Sequence, residues 1–114
     1  MTQNEKNLLL KDLCARLPYG VKFQSENIET ALFVDTSDDE VWINGTCIDD
    51  FKPYLFPLSS MTEEQMNQFN ETLIGTENLG WSNDTFDWLN ENHFDYRGLI
   101  SMGLANDATG LNIY

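Results

Sequence analysis

The sequence has few of the residues that most often carry out chemistry. It contains one histidine, His93, and two cysteines, Cys14 and Cys47, among 114 residues. This set argues against a structural zinc site, which takes four cysteine or histidine ligands. The chain also lacks a glycine-rich phosphate loop, a G-x-S-x-G turn and a dinucleotide-binding motif. The sequence therefore predicts no cofactor, and His93 is its one weak candidate for a catalytic residue.

Basic residues are scarce as well. The chain contains nineteen acidic and six basic residues, which gives a formal net charge of −13. Residues 53–114 contain nine acids and a single base, Arg97. A field of this sign repels phosphate backbones and anionic lipid, so we expect no direct binding of nucleic acid or of a membrane surface. The charge suits a basic protein partner, or it serves only solubility.

Long apolar runs are absent too. No stretch reaches the roughly 20 apolar residues that cross a bilayer, and the segment MTQNEKNLLLKDL lacks the features of a signal peptide. Because the two cysteines form no C-x-x-C pair, we expect reduced, mostly buried thiols in a cytoplasmic protein, although a bridge between them stays open. The length and the 41% hydrophobic content predict one globular domain spanning residues 1–114.

The acidic clusters do not match a calcium-binding loop. Four acids fall in one predicted turn: Asp35, Asp38, Asp39 and Glu40. An EF-hand loop needs acids at alternate positions, a central glycine and a terminal glutamate, and DTSDDEVWINGT does not supply them. The sequence therefore predicts no metal site.

The first predicted element is an amphipathic helix. Thr2 followed by Glu5 is a capping-box pattern, and Pro18 with Gly20 ends the helix. Its apolar stripe consists of Leu9, Leu10, Leu13, Cys14 and Leu17. The side facing water is predicted to carry Lys6, Lys11 and Asp12.

Strands are predicted next, because the apolar period changes to two beyond Gly20. Residues 21–23 and 28–35 alternate, and Asn44-Gly45 separates VWI from TCI as the sequence of a type I′ hairpin turn. The middle third should therefore be an antiparallel meander of about four strands.

Residues 49–61, DDFKPYLFPLSSM, combine two prolines with several large apolar side chains. Prolines four positions apart argue against a helix and against a central strand. Leaving the apolar side chains in water would forfeit several kcal/mol of burial. We therefore expect an irregular strap packed on the core, with an exposed binding loop as the alternative.

About three helices are predicted after the strap. Ser60 and Glu63 form a second capping-box pattern, and Gly75 would end that helix. Its inner stripe would consist of Met66, Phe69 and Leu73. A further helix should start near residue 83 or 84 and run to His93, and Asp95 should cap another over residues 96–105. The predicted class is α+β, with the helices packed on one face of the sheet.

Residues 90–100, NENHFDYRGLI, pose the main functional question. A catalytic His93 needs a carboxylate that fixes its tautomer, and Asp95 could serve only if both residues lie in a turn. A histidine near a helix C-terminus also has a structural role, because its ring can bond the last carbonyls and interact with the helix dipole. We interpret the stretch as a junction between two helices and keep catalysis by His93 as an alternative.

A candidate binding set surrounds the same stretch. It consists of Trp81, Asp84, Asp87, Glu91, Asp95 and Arg97. Arg97 offers a fork for a carboxylate or phosphate, or else an internal ion pair with Asp95 or another neighbour. Trp81 is a candidate interface anchor, because binding hot spots are enriched in tryptophan, or else a lid folded onto the core.

Three segments together resemble a group of short uncharacterised proteins encoded by gut anaerobic bacteria and their phages or mobile elements. They are LLLKDLCARLPYGVKF (8–23), IDDFKPYLFPLSSMTEEQ (48–65) and FDWLNENHFDYRGLISMGLA (86–105). The resemblance implies a bacterial or phage setting inside the cell and favours an accessory interaction protein over a metabolic enzyme. It carries over no functional residue.

Three functional hypotheses are open at this stage. The first is a non-enzymatic, acidic interaction protein that binds a basic protein. The second is a nucleic-acid mimic that inhibits a DNA-binding protein, which requires carboxylates in rows on one face. The third is a small hydrolase or ligand-binding domain in which folding brings an acid to His93. We expect the first.

Overall fold

A computed structural model describes residues 1–37, 39–73 and 81–114. Within them the chain forms three α-helices and eight short strands, so the predicted α+β class is confirmed. The helices are α1 (Gln3–Arg16), α2 (Glu63–Thr72) and α3 (Asn83–Glu91). The strands are β1 (Lys22–Gln24), β2 (Ile28–Thr30), β3 (Val34–Ser37), β4 (Glu40–Ile43), β5 (Thr46–Cys47), β6 (Tyr54–Pro57), β7 (Phe94–Asp95) and β8 (Asn106–Asp107).

Helix α1 begins and ends as predicted. The Thr2 hydroxyl accepts a hydrogen bond from the backbone N–H of Glu5 at 3.1 Å, and the Glu5 carboxylate accepts one from the N–H of Thr2 at 2.8 Å. This reciprocal pair satisfies two N–H groups that the helix itself leaves free. At the other end a 3-10 turn containing Pro18 leads to Gly20, whose φ of +73° suits a residue without a Cβ.

The predicted meander is divided into two antiparallel sheets. Strands β1 and β2 pair with each other, and β3, β4 and β5 form a separate three-stranded sheet. The hairpin between β4 and β5 turns at Asn44 and Gly45, whose φ values are +51° and +86°. The Asn-Gly prediction is therefore confirmed, because both central residues of a type I′ turn need positive φ.

The strap is buried as predicted at Phe51 and residues 53–55, whereas Leu58 is 38% exposed, and the segment is not irregular. Its residues 54–57 form β6, the middle strand of a parallel sheet ordered β7-β6-β8. The prediction that its prolines exclude a central strand is wrong, because the strand lies between them and ends at Pro57. The ladder uses groups that proline does not remove. The N–H of Phe56 donates to the His93 carbonyl, and the N–H of Ala108 donates to the Leu55 carbonyl, both at 2.8 Å.

The later helices differ from the prediction. Helix α2 is capped by Thr62 with Gln65, and Ser60 instead lies in a preceding 3-10 turn. Residues 96–105 form turns in place of the predicted fourth helix, with left-handed glycines at Gly98 and Gly103. The strands also form three separate sheets in the described segments, so the expected single sheet with helices on one face is wrong. The predicted end of α2 at Gly75 lies outside the described residues.

The main core lies between α1, the first two sheets, the strap and the turns after residue 98. Its fully buried members include Leu9, Leu13, Phe23, Ile43, Phe51, Leu55 and Leu99. Phe23 and Phe51 pack with ring centroids 4.9 Å apart. Two predictions of burial are wrong. Cys14 is exposed, with its thiol free, and Met66 on α2 is 52% exposed.

None of the helices in the described segments is both long and apolar enough to cross a bilayer.

Candidate functional site

His93 follows the end of α3 and has a left-handed backbone, with a φ of +63°. Its N–H donates to the Asn90 carbonyl at 3.1 Å. Its ring stacks on that of Tyr114, with the centroids 3.7 Å apart and the planes 14° apart. The residue is 8% exposed, so it is part of the interior of the molecule.

The His93 ring is held neutral. Burial lowers its pKa from 6.5 to about 4, and the positive charges of Arg16 and Lys22 act in the same direction. Its Nδ1 atom is buried and has no hydrogen-bond partner in the part of the chain that the structure describes. Asp95 does not supply one, because the hydrogen bonds of its carboxylate go to backbone N–H groups. A ring in this state is poorly suited to acid–base catalysis near pH 7.

Tyr114 is hydrogen-bonded to two different sheets through its side chain. Its hydroxyl donates to the Tyr54 carbonyl and accepts from the N–H of Lys22, both at 2.7 Å. Burial is the largest influence on the hydroxyl and raises the pKa of Tyr114 to about 12. The phenol therefore stays protonated, and its hydroxyl joins β1 to β6 while its ring stacks on His93.

A buried ion-pair group connects α1 to the segment after β7. Asp12 and Arg16 are both fully buried. The Asp12 carboxylate accepts hydrogen bonds from the Nε and Nη2 atoms of Arg16 at 2.8 and 3.1 Å. It accepts another from the Nε atom of Arg97 at 3.0 Å. The prediction that Asp12 faces water is wrong, because its side chain balances two arginines.

The aromatic ring of Tyr96 contacts both of those arginines. The guanidinium of Arg16 is 5.3 Å and that of Arg97 is 4.9 Å from its centroid. The Tyr96 hydroxyl donates to Asn90 at 3.0 Å. These are cation–π contacts in a largely desolvated setting. Arg97 thus makes the internal ion pair that sequence reasoning considered for it, but with Asp12, 85 positions away.

Asp95 has a structural position. Its carboxylate accepts hydrogen bonds from the backbone N–H groups of Arg97, Leu99 and Ile100, at 3.3, 3.0 and 2.9 Å. It therefore fixes the turn that follows β7, and it is 7% exposed. The sequence predicted that Asp95 caps a helix. In the structure its carboxylate accepts hydrogen bonds from the backbone of a turn instead.

The remaining acids of the candidate set lie on α3. Asp84, Asp87 and Glu91 are all exposed, and their spacing of three and four residues places them on one face of the helix. Thr85 and Leu89 lie on the opposite, buried face. We call these three carboxylates the α3 acidic face.

Trp81 stands two residues before α3 and is 40% exposed. Its ring meets those of Phe69 and Phe86 edge-on, each at 5.6 Å between centroids. Phe69 in turn contacts Trp88 at 5.9 Å, which links α2 to α3. Trp81 is therefore packed on an aromatic cluster and still presents part of its ring at the surface.

Two surface clefts contain none of the candidate residues. One, with a cavity volume of about 60 Å³, lies between α1 and the hairpin of β4 and β5. It includes the Lys6–Asp49 ion pair, at 3.4 Å, and the free thiol of Cys47, whose sulfur is 3.8 Å from a carboxylate oxygen of Asp49. The other, with a cavity volume of about 220 Å³, is lined by Phe56, Phe94, Gly110 and uncharged polar residues.

No group of three or more metal-ligating side chains is assembled within residues 1–37, 39–73 and 81–114.

Sequence reasoning missed the Asp12–Arg16 pair and the Tyr114 stack. The first had a signal, since positions 9, 12, 13 and 16 share one helical face and an acid four residues before a base is a favourable pair. The second had none, because His93 and Tyr114 are brought together only by the fold.

Comparisons with protein-family models, with curated proteins and with solved structures found no match for this chain.

Proposed function

We propose that this chain is a non-enzymatic interaction protein whose acidic surface binds a basic protein. We place it in the cytoplasm of a bacterium or of a phage-infected cell. The observation that carries the proposal is the α3 acidic face, three exposed carboxylates on the helix that follows the partly exposed Trp81 in the chain. Such a combination gives electrostatic attraction together with an aromatic contact.

The acids of this face form no ion pair with another residue in the described part of the chain. In the described segments the ion pairs join Asp12 to Arg16 and Arg97, and Lys6 to Asp49. Asp84, Asp87 and Glu91 take part in none of them, so their charge is directed to the solvent. An exposed field of one sign raises the encounter rate with proteins of opposite charge.

The catalytic alternative has less support. His93 has a pKa near 4 and a ring stacked on Tyr114, and neither surface cleft includes it. A hydrolase would need this ring beside a substrate and hydrogen-bonded to a carboxylate.

The test is capture of partners from the encoding organism on the immobilised chain, at low and at high salt, with identification by mass spectrometry. We expect a basic protein that is released as salt rises. Replacing the α3 acidic face by Asp84→Asn, Asp87→Asn and Glu91→Gln should weaken its binding, and so should Trp81→Ala.

The matched control removes three charges from α2 by Glu63→Gln, Glu64→Gln and Glu71→Gln. These side chains are also exposed. Each variant removes three carboxylates, so both change the net charge by the same amount. Equal losses in the two variants would reduce the proposal to a general charge effect. Failure to capture any partner at either salt would contradict it. Competition by duplex DNA for the captured protein would favour a nucleic-acid mimic.

A further inference from the structure

Leu32 and Phe33 are the most exposed large hydrophobic residues in the described part of the chain, at 74% and 57%. They lie between β2 and β3, next to the fully buried Ala31. Burial of either side chain would be favourable, because it removes apolar surface from water. Two adjacent apolar side chains left in water indicate a surface that is covered in a complex.

This pair is held in place by one side chain. The Asn44 amide oxygen accepts hydrogen bonds from the N–H groups of Leu32 and Phe33 at 2.9 and 3.3 Å. The Asn44 amide nitrogen donates to the Thr30 carbonyl at 2.8 Å, and the Asn44 N–H donates to the Phe33 carbonyl at 3.2 Å. The backbone is thereby satisfied in a conformation that leaves both side chains outside the core. A rigid apolar anchor loses little entropy when it binds.

Charge determines which partner fits. Glu29 and Asp35 flank the pair along the chain, and both are exposed. A second copy of the chain would bring another net charge of −13 against the same surface, which opposes self-association. A basic protein would be attracted by the same field.

We propose that Leu32 and Phe33 are the apolar anchor for a basic protein partner. They insert into an apolar socket whose rim carries lysine or arginine opposite Glu29 and Asp35. This inference rests on the proposed function and adds a second, apolar contact site to the α3 acidic face, together with the chemistry of the partner surface that fits it. The acids accelerate encounter, and the apolar pair slows dissociation.

The test uses two synthetic peptides with the same number of lysines. One is an amphipathic helical lysine–leucine peptide, and the other is an oligolysine. Their affinities for the intact chain are measured by titration calorimetry at low ionic strength, and the contact residues by backbone amide NMR shifts. We expect the amphipathic peptide to bind at least about tenfold more tightly and to shift the amides of Leu32 and Phe33.

The double variant Leu32→Ser/Phe33→Ser should remove this difference and leave oligolysine binding unchanged. The control is Met102→Ser/Leu111→Ser, which removes two other exposed apolar residues, at 44% and 47%. Equal affinity of the two peptides for the unmodified chain, or an equal loss in both double variants, would overturn the anchor while the acidic proposal stands.

Two further outcomes separate the remaining possibilities. Binding of neither peptide would contradict the proposed function itself, and with it the anchor. Sedimentation that shows a dimer, lost in Leu32→Ser/Phe33→Ser, would overturn the anchor for a basic partner and assign the pair to self-association.

Discussion

Arg16 brings a full positive charge into the interior, and its burial depends on one carboxylate. The Asp12 carboxylate accepts two hydrogen bonds from Arg16, and the Phe94 carbonyl accepts a third at 2.7 Å. A buried ion pair adds little net stability, because desolvation offsets the attraction between the charges. Loss of one partner is a different matter, since the other charge stays in the interior without compensation.

We therefore expect Asp12→Asn to lower the free energy of unfolding by about 3–5 kcal/mol. The substitution keeps the shape of the side chain and removes the charge that balances Arg16 and Arg97. Chemical denaturation followed by tryptophan fluorescence measures the change. Asp87→Asn is the control, because this residue is exposed and forms no ion pair in the described structure, and its effect should stay within about 0.5 kcal/mol. A similar small effect of Asp12→Asn would contradict the role given to the buried pair.

His93 predicts a loss of stability in mild acid. Its pKa is about 4 in the folded chain and 6.5 when unperturbed, so the unfolded chain binds the proton first as the pH falls. Stability is therefore fully present above pH 6.5, declines below it, and has lost about 3 kcal/mol from this group once the pH is below 4. Denaturation midpoints measured from pH 7.5 to pH 4 would show this decline.

The matched variant is His93→Asn, because asparagine tolerates the positive φ of this position. It should be less stable near pH 7, since the stack on Tyr114 is lost, but its stability should change much less between pH 6.5 and pH 4. Hydrogen bonds lower the carboxyl pKa values of Glu5 and Asp107. The unmodified chain and the variant share these two carboxyl groups, so they contribute equally to the pH dependence of both proteins. An equal decline in both proteins would show that His93 does not cause it.

At the scale of elements, local signals predicted local structure. The capping box of α1 and the Asn-Gly turn are each complete within four residues, so the sequence shows them directly. Strand β6 pairs with β7 and β8, which follow it by about 40 and 50 residues, and no local pattern reports such partners. The prediction of a fourth helix was wrong for a reason that the sequence itself contains, because two glycines interrupt residues 96–105.

Asn44 joins the hairpin to the segment before β3, and Asn44→Gly tests that function. Glycine keeps the positive φ but removes three side-chain hydrogen bonds. We expect a loss of about 1–3 kcal/mol and faster hydrogen exchange at the amides of Leu32 and Phe33. Asn44→Asp keeps the acceptor and loses the donor, so its exchange rates should be intermediate. Unchanged exchange in the glycine variant would show that the segment is held by other contacts.

At the scale of the molecule, the charge was readable from composition, but its arrangement was not. The sequence placed Asp84, Asp87 and Glu91 on one predicted helix, and the fold leaves all three exposed. The same reasoning grouped Asp95 and Arg97 with them, whereas the structure turns both toward the interior, Arg97 against a carboxylate of α1. Which charges remain for a partner depends on long-range contacts, and a single sequence does not encode these in its spacing.

The net charge of −13 predicts that salt stabilises the free chain and weakens the proposed complex with a basic protein. Screening reduces the repulsion among the exposed carboxylates, so added sodium chloride should raise the free energy of unfolding. A gain on the order of 1 kcal/mol would raise the melting temperature by about 4 °C. The same screening removes the attraction to a basic partner, so affinity should fall over the same range of salt. Thermal melting and titration calorimetry in parallel salt series measure the two effects.

The variant that neutralises the α3 acidic face distinguishes this cause from a general effect of salt. With three fewer negative charges it should melt at the same or a higher temperature at low salt, and its gain from salt should be smaller. Sodium sulfate at equal ionic strength serves as a comparison, because sulfate also strengthens apolar burial and should stabilise both proteins further. If the variant gained as much from sodium chloride as the unmodified chain, repulsion among the α3 carboxylates would not limit stability. Their exposure would then have no measurable cost to the folded state.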